Sequence, residues 1–461
     1  MKRSSSRRST TAVRNLDCMQ KSGTLGPAVT PARTQHTADD MGLEALKLTR
    51  KTYGLAEIAN RATRMTEILE TVKEAALRPE SKKVAPRLNQ AQVASVLGIT
   101  KSAFLHGVET KKYPPGHTLP GKTMYTMTDM QSMARAAGLR HRYAEGHGIV
   151  ITVANFKGGV AKTSTTVTLA QYLAQRGLSC AILDLDPQAS ATTLFGLSPY
   201  LDVTSDQSVA ALFYSDPPDP LTLARPTYWP GIDIIPSNQH LYGKEFALAA
   251  AAPEWGGQIF EVLGDRIEPL RRRYDVVLID TQPSLGFLTS TAVFASDHLV
   301  VTVPPSNLDL ASSVIFWSLL RDVMDQAAKA DGHAKRWEGV HVLLTRVDET
   351  DKSTHFIRKL LSMGCEDWLL PDVIPATRVA TTAASEFATV YDIERYEGSY
   401  RSIKRARELF DKAYGQFIHI LNDTWDAWEA EAAEQGARSA PVSKPSETDA
   451  FDQGSGNVAA A

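Results

Sequence analysis

The sequence predicts an α/β protein: a doubly wound, mainly parallel sheet, preceded by a smaller helical domain of the winged helix-turn-helix kind. Three observations carry this. Apolar runs at residues 149–154, 180–184, 276–280, 299–303 and 340–345 alternate with helical segments, and unbroken apolar strands belong to a parallel sheet covered on both faces. A glycine-rich loop at residues 155–162 separates the first run from a helix expected over 163–176, which stops at Gly177. Ahead of the sheet, residues 87–108 carry two short helical patterns joined at Gly98.

Bulk properties set the frame. A chain of 461 residues has room for two or three domains. With 43% hydrophobic and 22% charged residues it has the composition of a soluble globular protein. It contains no apolar run of about 18 residues, so no membrane span is expected. The arginine-rich N-terminus lacks the apolar core of a secretory signal. Three widely spaced cysteines, Cys18, Cys180 and Cys365, make neither a disulfide scaffold nor a zinc site and fit a reducing, cytosolic compartment. The net charge of −2 hides an asymmetry: residues 1–150 hold 24 Lys and Arg against 12 Asp and Glu, and the remainder holds 26 against 40. A basic front end on an acidic body is the footprint of a nucleic-acid-binding arm or domain.

Taken in order, residues 1–42 are rich in Ser, Thr and Arg without apolar periodicity and read as a disordered basic arm. Over 43–80, Leu43, Leu46 and Leu48, then Ile58, Ala62, Met65, Ile68, Leu69 and Val72, recur at helical spacing. Such a helix packs within its own domain or forms a dimer contact. Residues 81–146 form the expected winged helix-turn-helix. Asn89 caps a helix from Gln90 to Leu97, Ile99 packs underneath, and Thr100 caps a second helix from Lys101 to about Val108. Val93, Leu97, Ile99, Phe104 and Leu105 would hold the pair together. Lys101, Ser102 and His106 are left to face a major groove. Lys122 lies on the basic wing, and Thr128 and Asp129 open a further helix. A plain helical hairpin is the alternative. Residues 200–245, with several Pro, Asp and Tyr, read as an insertion, and 431–461 as a disordered tail.

The loop Asn155-Phe-Lys-Gly-Gly-Val-Ala-Lys-Thr-Ser carries the chemistry. Successive backbone N–H groups and a helix N-terminus together cradle an anion. Gly158 and Gly159 permit close backbone approach, with Val160 and Ala161 completing the cradle. Lys162 supplies charge to the β and γ phosphates, Thr163 offers a hydroxyl to Mg²⁺, and Ser164 can reach the α phosphate. The generic first glycine is replaced by Phe156, and Ala161 precedes the lysine. That alanine costs freedom only if the backbone there needs a positive φ. Lys157 is surplus to holding a nucleotide within one subunit and points to a site completed between two.

Lys157-Gly-Gly-Val-Ala-Lys-Thr resembles the deviant Walker A box of the ParA/MinD ATPases. Leu183-Asp-Leu-Asp-Pro-Gln-Ala-Ser is similar to the family's second motif, and Val277-Leu-Ile-Asp-Thr-Gln-Pro-Ser-Leu to its Walker B strand. The resemblance covers about residues 148–425. It implies a P-loop NTPase domain over 147–430 using ATP/ADP and Mg²⁺. Lys157 would reach the partner subunit's nucleotide, Asp186 would orient the attacking water, Asp280 would hold Mg²⁺ through water, and Asp184 would be an accessory contact. The Asp-Pro-Gln run favours the DNA-partitioning branch over the membrane-cycling one, and the front domain is similar to that of long partition proteins that repress their own operon. The implied partners are operator and nucleoid DNA, a ParB-type centromere-binding protein and a second copy of the chain, with no membrane; the implied location is the cytoplasm, on the nucleoid. Thr345-Arg-Val-Asp348 and Pro375 line the base pocket or are plain loop residues. Arg378, Arg401, Lys404 and Arg407 bind DNA nonspecifically or form a solvated helix face. Arg271-Arg-Arg273 reads as a solvated helix end.

Overall fold

A computed structural model describes residues 54–76, 83–139, 147–331, 334–393 and 399–439. The expected basic arm, Leu43, Leu46 and Leu48 lie outside the described residues. Two compact units divide the chain, Met1–Lys83 and Val84–Ala461. In the first, α1 (Leu55–Ala76) leaves Leu55, Ile58, Met65 and Ile68 exposed.

The second unit opens with β1 (Leu88–Asn89), α2 (Gln90–Val96), α3 (Lys101–Glu109), β2 (His117–Leu119), β3 (Lys122–Tyr125) and α4 (Met127–Ala136). Local chemistry fixes these helices. The Asn89 side chain accepts from the amides of Ala91 and Gln92, and Gln92 returns a bond to the Asn89 amide, a complete capping box. Thr100 caps α3 through the Ala103 amide. Gly98 turns the chain between them with φ of 67°. Val93, Leu97, Phe104, Tyr125, Met130 and Met133 are buried beneath. β2 and β3 pair antiparallel as a hairpin where the basic wing was expected, and β1 joins β3. α4 starts one residue before Thr128, because Thr126 and Asp129 form its capping box.

The large sheet alternates strand and helix: β4 (Ile149–Ala154), α5 (Lys162–Gln175), β5 (Cys180–Leu185), α6 (Ser190–Leu194), β6 (Arg225–Pro226), β7 (Ile232–Ile235), α7 (Leu241–Trp255), α8 (Val262–Arg273), β8 (Val276–Thr281), α9 (Phe287–Ala295), β9 (His298–Val303), α10 (Asn307–Asp331), β10 (Gly339–Leu344), α11 (Lys352–Cys365), α12 (Arg378–Ser385) and α13 (Tyr400–Ser439). The strand order is β10-β9-β4-β8-β5-β7-β6, parallel except for β6. Every residue of β4, β5, β8 and β9 is buried, as continuous apolar strands require. Register sets Asp184 opposite Asp280 and Leu185 opposite Thr281, while Val153 also faces Asp280. The loops leaving β4, β5 and β8 therefore emerge side by side, at the carboxyl edge where such sheets bind ligands.

Some expectations need correction. Residues 200–245 contain β6 and β7, so that segment completes the sheet edge. The expected tail from 431 is helical as far as Ser439, in keeping with its Ala- and Glu-rich sequence. Arg271 is no solvated helix end: it donates to both oxygens of Asp297 at 3.1 and 3.0 Å and to the Gly148 carbonyl, tying α8 to the starts of β4 and β9. The segment from β1 to α4 also shares one hydrophobic core with the sheet. Gln131 on α4 donates to the Pro230 carbonyl at 2.5 Å and Arg135 to that of Gly177 at 3.3 Å.

Two histidines sit between the sheet and α13. His298 Nδ1 and His341 Nε2 are 3.1 Å apart, and His298 Nε2 lies 2.9 Å from the Thr424 hydroxyl. Burial pushes His298 down to about 3 and His341 to about 4, the neighbouring ring adding to the first shift. The unfolded chain takes up protons near pH 6.5, which the folded chain refuses until about pH 4, so stability is present above 6.5 and lost as pH falls through this window. The melting temperature is expected to drop between pH 7 and 5. The drop should shrink in His341→Gln; an unchanged slope in that variant would contradict the assignment.

Candidate functional site

The glycine-rich loop runs from β4 to the first turn of α5. Its shape is held from two sides. The Asn155 side chain accepts from the Lys157 amide at 3.0 Å and donates to the Thr302 carbonyl at 2.9 Å, anchoring the start of the loop to β9. Thr345 and Arg346, just beyond β10, donate to the carbonyls of Val160 (3.1 Å) and Gly159 (2.8 Å). Ala161 has φ of 69°, as do few non-glycine residues. The departure from glycine here costs roughly 1 kcal/mol. A loop clamped at four points keeps that conformation where a free chain would relax it.

Lys162 opens α5 and is buried. Its amine donates to the Lys157 carbonyl at 3.1 Å. Burial holds its pKa below the usual lysine value, while Asp280 and Asp186 pull it back up. Both oxygens of Asp280 are buried without a satisfied hydrogen bond. Burial raises its pKa well above the carboxylate range, Asp184 across the ladder adds to this, and the adjacent Thr163 hydroxyl and Lys162 oppose it. An unpartnered buried carboxylate beside a hydroxyl is a hard-oxygen donor set for a divalent cation, which would take the place of the proton.

Asp184 is committed internally. It accepts from the Thr192 amide and hydroxyl (2.8 and 2.7 Å) and the Asp186 amide (3.2 Å), and burial lifts it to about 7. Asp186 is raised by burial and lowered by the Gln188 amide and Lys162. The site therefore gathers Lys162, Thr163, Asp186 and Asp280 around one loop. Ser164 is exposed at its mouth. Lys157 is half-buried, with its amine 2.5 Å from Asp309 on α10.

Residues 148–330 match the family model described as "AAA domain". Protein SopA of Escherichia coli is 32% identical over 287 residues, spanning 60% of this chain and 72% of SopA. The chain belongs to the ParA family of partition ATPases. Plasmid partition protein A of Escherichia coli is 26% identical over 401 residues, 80% of this chain and 98% of that protein. The solved structure titled "Partition Protein" superposes with a TM-score of 0.57 at 18% identity, covering 80% of this chain and 98% of that one, and shows the same fold.

In this ParA-family chain, the residues singled out for DNA fall into distinct places. Lys101, Ser102 and His106 share the exposed face of α3, and Lys122 is exposed on the hairpin. Arg378 is exposed on the first turn of α12; Arg401 and Lys404 are exposed on α13, Lys404 lying 3.6 Å from Glu408. Arg407 must be withdrawn from that set. Its Nε and Nη2 donate to the carbonyls of Val390, Tyr391 and Ile393, which pins the chain before α13 and turns that edge of the guanidinium inward. Pro375 pairs beside Val347, so its segment continues the sheet next to the loop that clamps Gly159 and Val160.

Sequence reasoning missed Asp309 and Glu245, and it read Thr345 and Arg346 as base-pocket or plain loop residues where they clamp the phosphate loop. Ser306 and Asp309 form a capping pair, with the Asp309 amide 3.2 Å from Ser306 Oγ, and this much was readable as a helix start. Nothing local announces that Asp309 meets Lys157. Glu245 lies outside every motif.

Proposed function

We propose that the chain is an ATP-dependent DNA-partitioning protein whose site is completed between two copies. The observation that carries this is Lys157: a second lysine at the phosphate loop, held by an aspartate of its own subunit and not by the site beside it. ATP binds on the 158–164 loop, with Lys162 on the β and γ phosphates and Pro375 on the base side. Mg²⁺ would be held by Thr163 and, through water, by Asp280; when bound it supplies positive charge to phosphate oxygens. Asp186 orients the attacking water. Lys157 leaves Asp309, reaches the partner subunit's nucleotide and offsets charge on the transferring phosphoryl group. The exposed seam of α1 supplies a further, nucleotide-independent contact between copies.

In this reading the ATP dimer binds nucleoid DNA through Arg378, Arg401 and Lys404, as salt-dependent phosphate contacts need only clustered charge. A ParB-type centromere-binding protein stimulates hydrolysis and release, and α3 with the hairpin represses the chain's own operon. Such a protein works in the cytoplasm, on the nucleoid; among the described residues no helix is long and apolar enough to cross a membrane. A second reading, a nucleotide-regulated repressor first and foremost, is favoured by the exposed polar face of α3. ATP turnover with and without nonspecific DNA and the neighbouring gene's product separates the two. Stimulation by both is expected; turnover indifferent to both, with protection of a promoter site, would favour the repressor.

A further inference from the structure

The loop that carries Asp186 and the loop that follows Asp280 do not stand alone, because α7 grips both from one face of its first turns. Glu245 accepts from the Phe287 amide at 2.6 Å and the Leu288 amide at 3.0 Å, the free N–H groups that open α9. It also accepts from the Gln282 side chain, two residues past Asp280, at 3.3 Å. Three residues earlier on α7, the Tyr242 hydroxyl accepts from Gln188 at 3.0 Å. The Gln188 amide in turn donates to Asp186 at 2.9 Å. Gly286 makes room for this grip: a Cβ there would lie 2.1 Å from Glu245 Oε1, although its φ of −85° suits any residue.

We propose that Glu245 and Tyr242 are positioning residues that couple the Asp186–Gln188 loop to the Gln282–Phe287 loop. This rests on the nucleotide-hydrolysing reading above. Residues i and i+3 of a helix lie on one face, so one rigid turn joins the water-side loop to the metal-side loop. A displacement of either, from γ-phosphate or from a second subunit, is passed to the other. Because Glu245 is a carboxylate held on two helix-opening N–H groups, the join is a strong, charge-assisted one. Neither residue touches nucleotide, so their loss should disturb the alignment of water and phosphate and leave ATP affinity in place.

The test uses the full chain in three variants and one combination: Glu245→Ala, Gly286→Ala, which pushes Glu245 away from the opposite side, both together, and Tyr242→Phe, which deletes a single hydroxyl. Turnover and the affinity for a fluorescent ATP analogue are measured for each. Misplacement of a catalytic geometry by a fraction of an ångström lowers turnover, so kcat should fall about tenfold in Glu245→Ala and Gly286→Ala and about threefold in Tyr242→Phe, with ATP affinity within about threefold of wild type. The double variant should be no worse than either single one, since both remove the same contact. Turnover retained within about twofold in the singles, losses that multiply in the double, or ATP affinity falling in step with kcat would each overturn the coupling. Absence of wild-type turnover would sink the hydrolytic reading and the coupling together; normal wild-type turnover with unaffected variants sinks the coupling alone.

Discussion

Lys162→Ala is expected to remove ATP binding, by about a hundredfold or more in affinity. The amine is buried at the first turn of α5 with Asp280 and Asp186 nearby, and in the proposed site it is the group that meets the phosphates. A hydrogen bond to a charged group contributes about 1.5–3 kcal/mol, and each 1.4 kcal/mol is a factor of ten in affinity. Loss of two such bonds to phosphate therefore carries affinity outside the useful range. The fold should survive, since among the described residues the hydrogen bond of the Lys162 amine goes to the Lys157 carbonyl of the same loop. Titration of a fluorescent ATP analogue measures this, and circular dichroism checks the fold. An affinity unchanged within threefold would place the nucleotide elsewhere.

Lys157→Ala should behave differently. It should bind ATP about as well as wild type, within a few-fold, yet lose turnover by a factor of roughly 10³, the scale of a charge supplied in trans to phosphoryl transfer. The contrast arises because Lys157 meets Asp309 in its own subunit, not the loop beside it. Asp309→Asn should act in the opposite sense, lowering the ATP concentration needed for dimerisation by up to about fivefold, as expected for a half-exposed ion pair. Light scattering across an ATP titration reads both.

What the sequence made legible was local. The apolar strands and the three boxes are short strings whose meaning does not depend on distant residues, so β4, β5, β8, β9 and β10 fall where the runs lie. The caps at Asn89 and Thr100 were readable for the same reason, and so was the conditional cost of Ala161, whose backbone does adopt a positive φ. What stayed hidden depends on tertiary contact. Arg407 and Arg271 look like surface charge in the sequence, but each meets acceptors far along the chain: carbonyls 14 to 17 residues away for Arg407, and Asp297 for Arg271. β7 hides among prolines and aspartates because it needs the neighbouring β5 to be a strand at all. Glu245 and Asp309 are invisible for the deepest reason: their contacts exist only once separate elements have met.

If Lys157 serves the other subunit's nucleotide, as proposed, mixing two inactive variants restores activity. Lys157→Ala and Asp186→Ala are each expected to lack turnover. In a mixed dimer acting in trans, the Lys157→Ala subunit keeps its own Asp186 and receives Lys157 from its neighbour, so one site of the two is whole. With half the dimers mixed, an equimolar mixture should recover about a quarter of wild-type turnover. If Lys157 served its own subunit, every site in the mixture would lack one of the two groups. A mixture as inactive as its components would rule out delivery of Lys157 to the partner subunit's nucleotide.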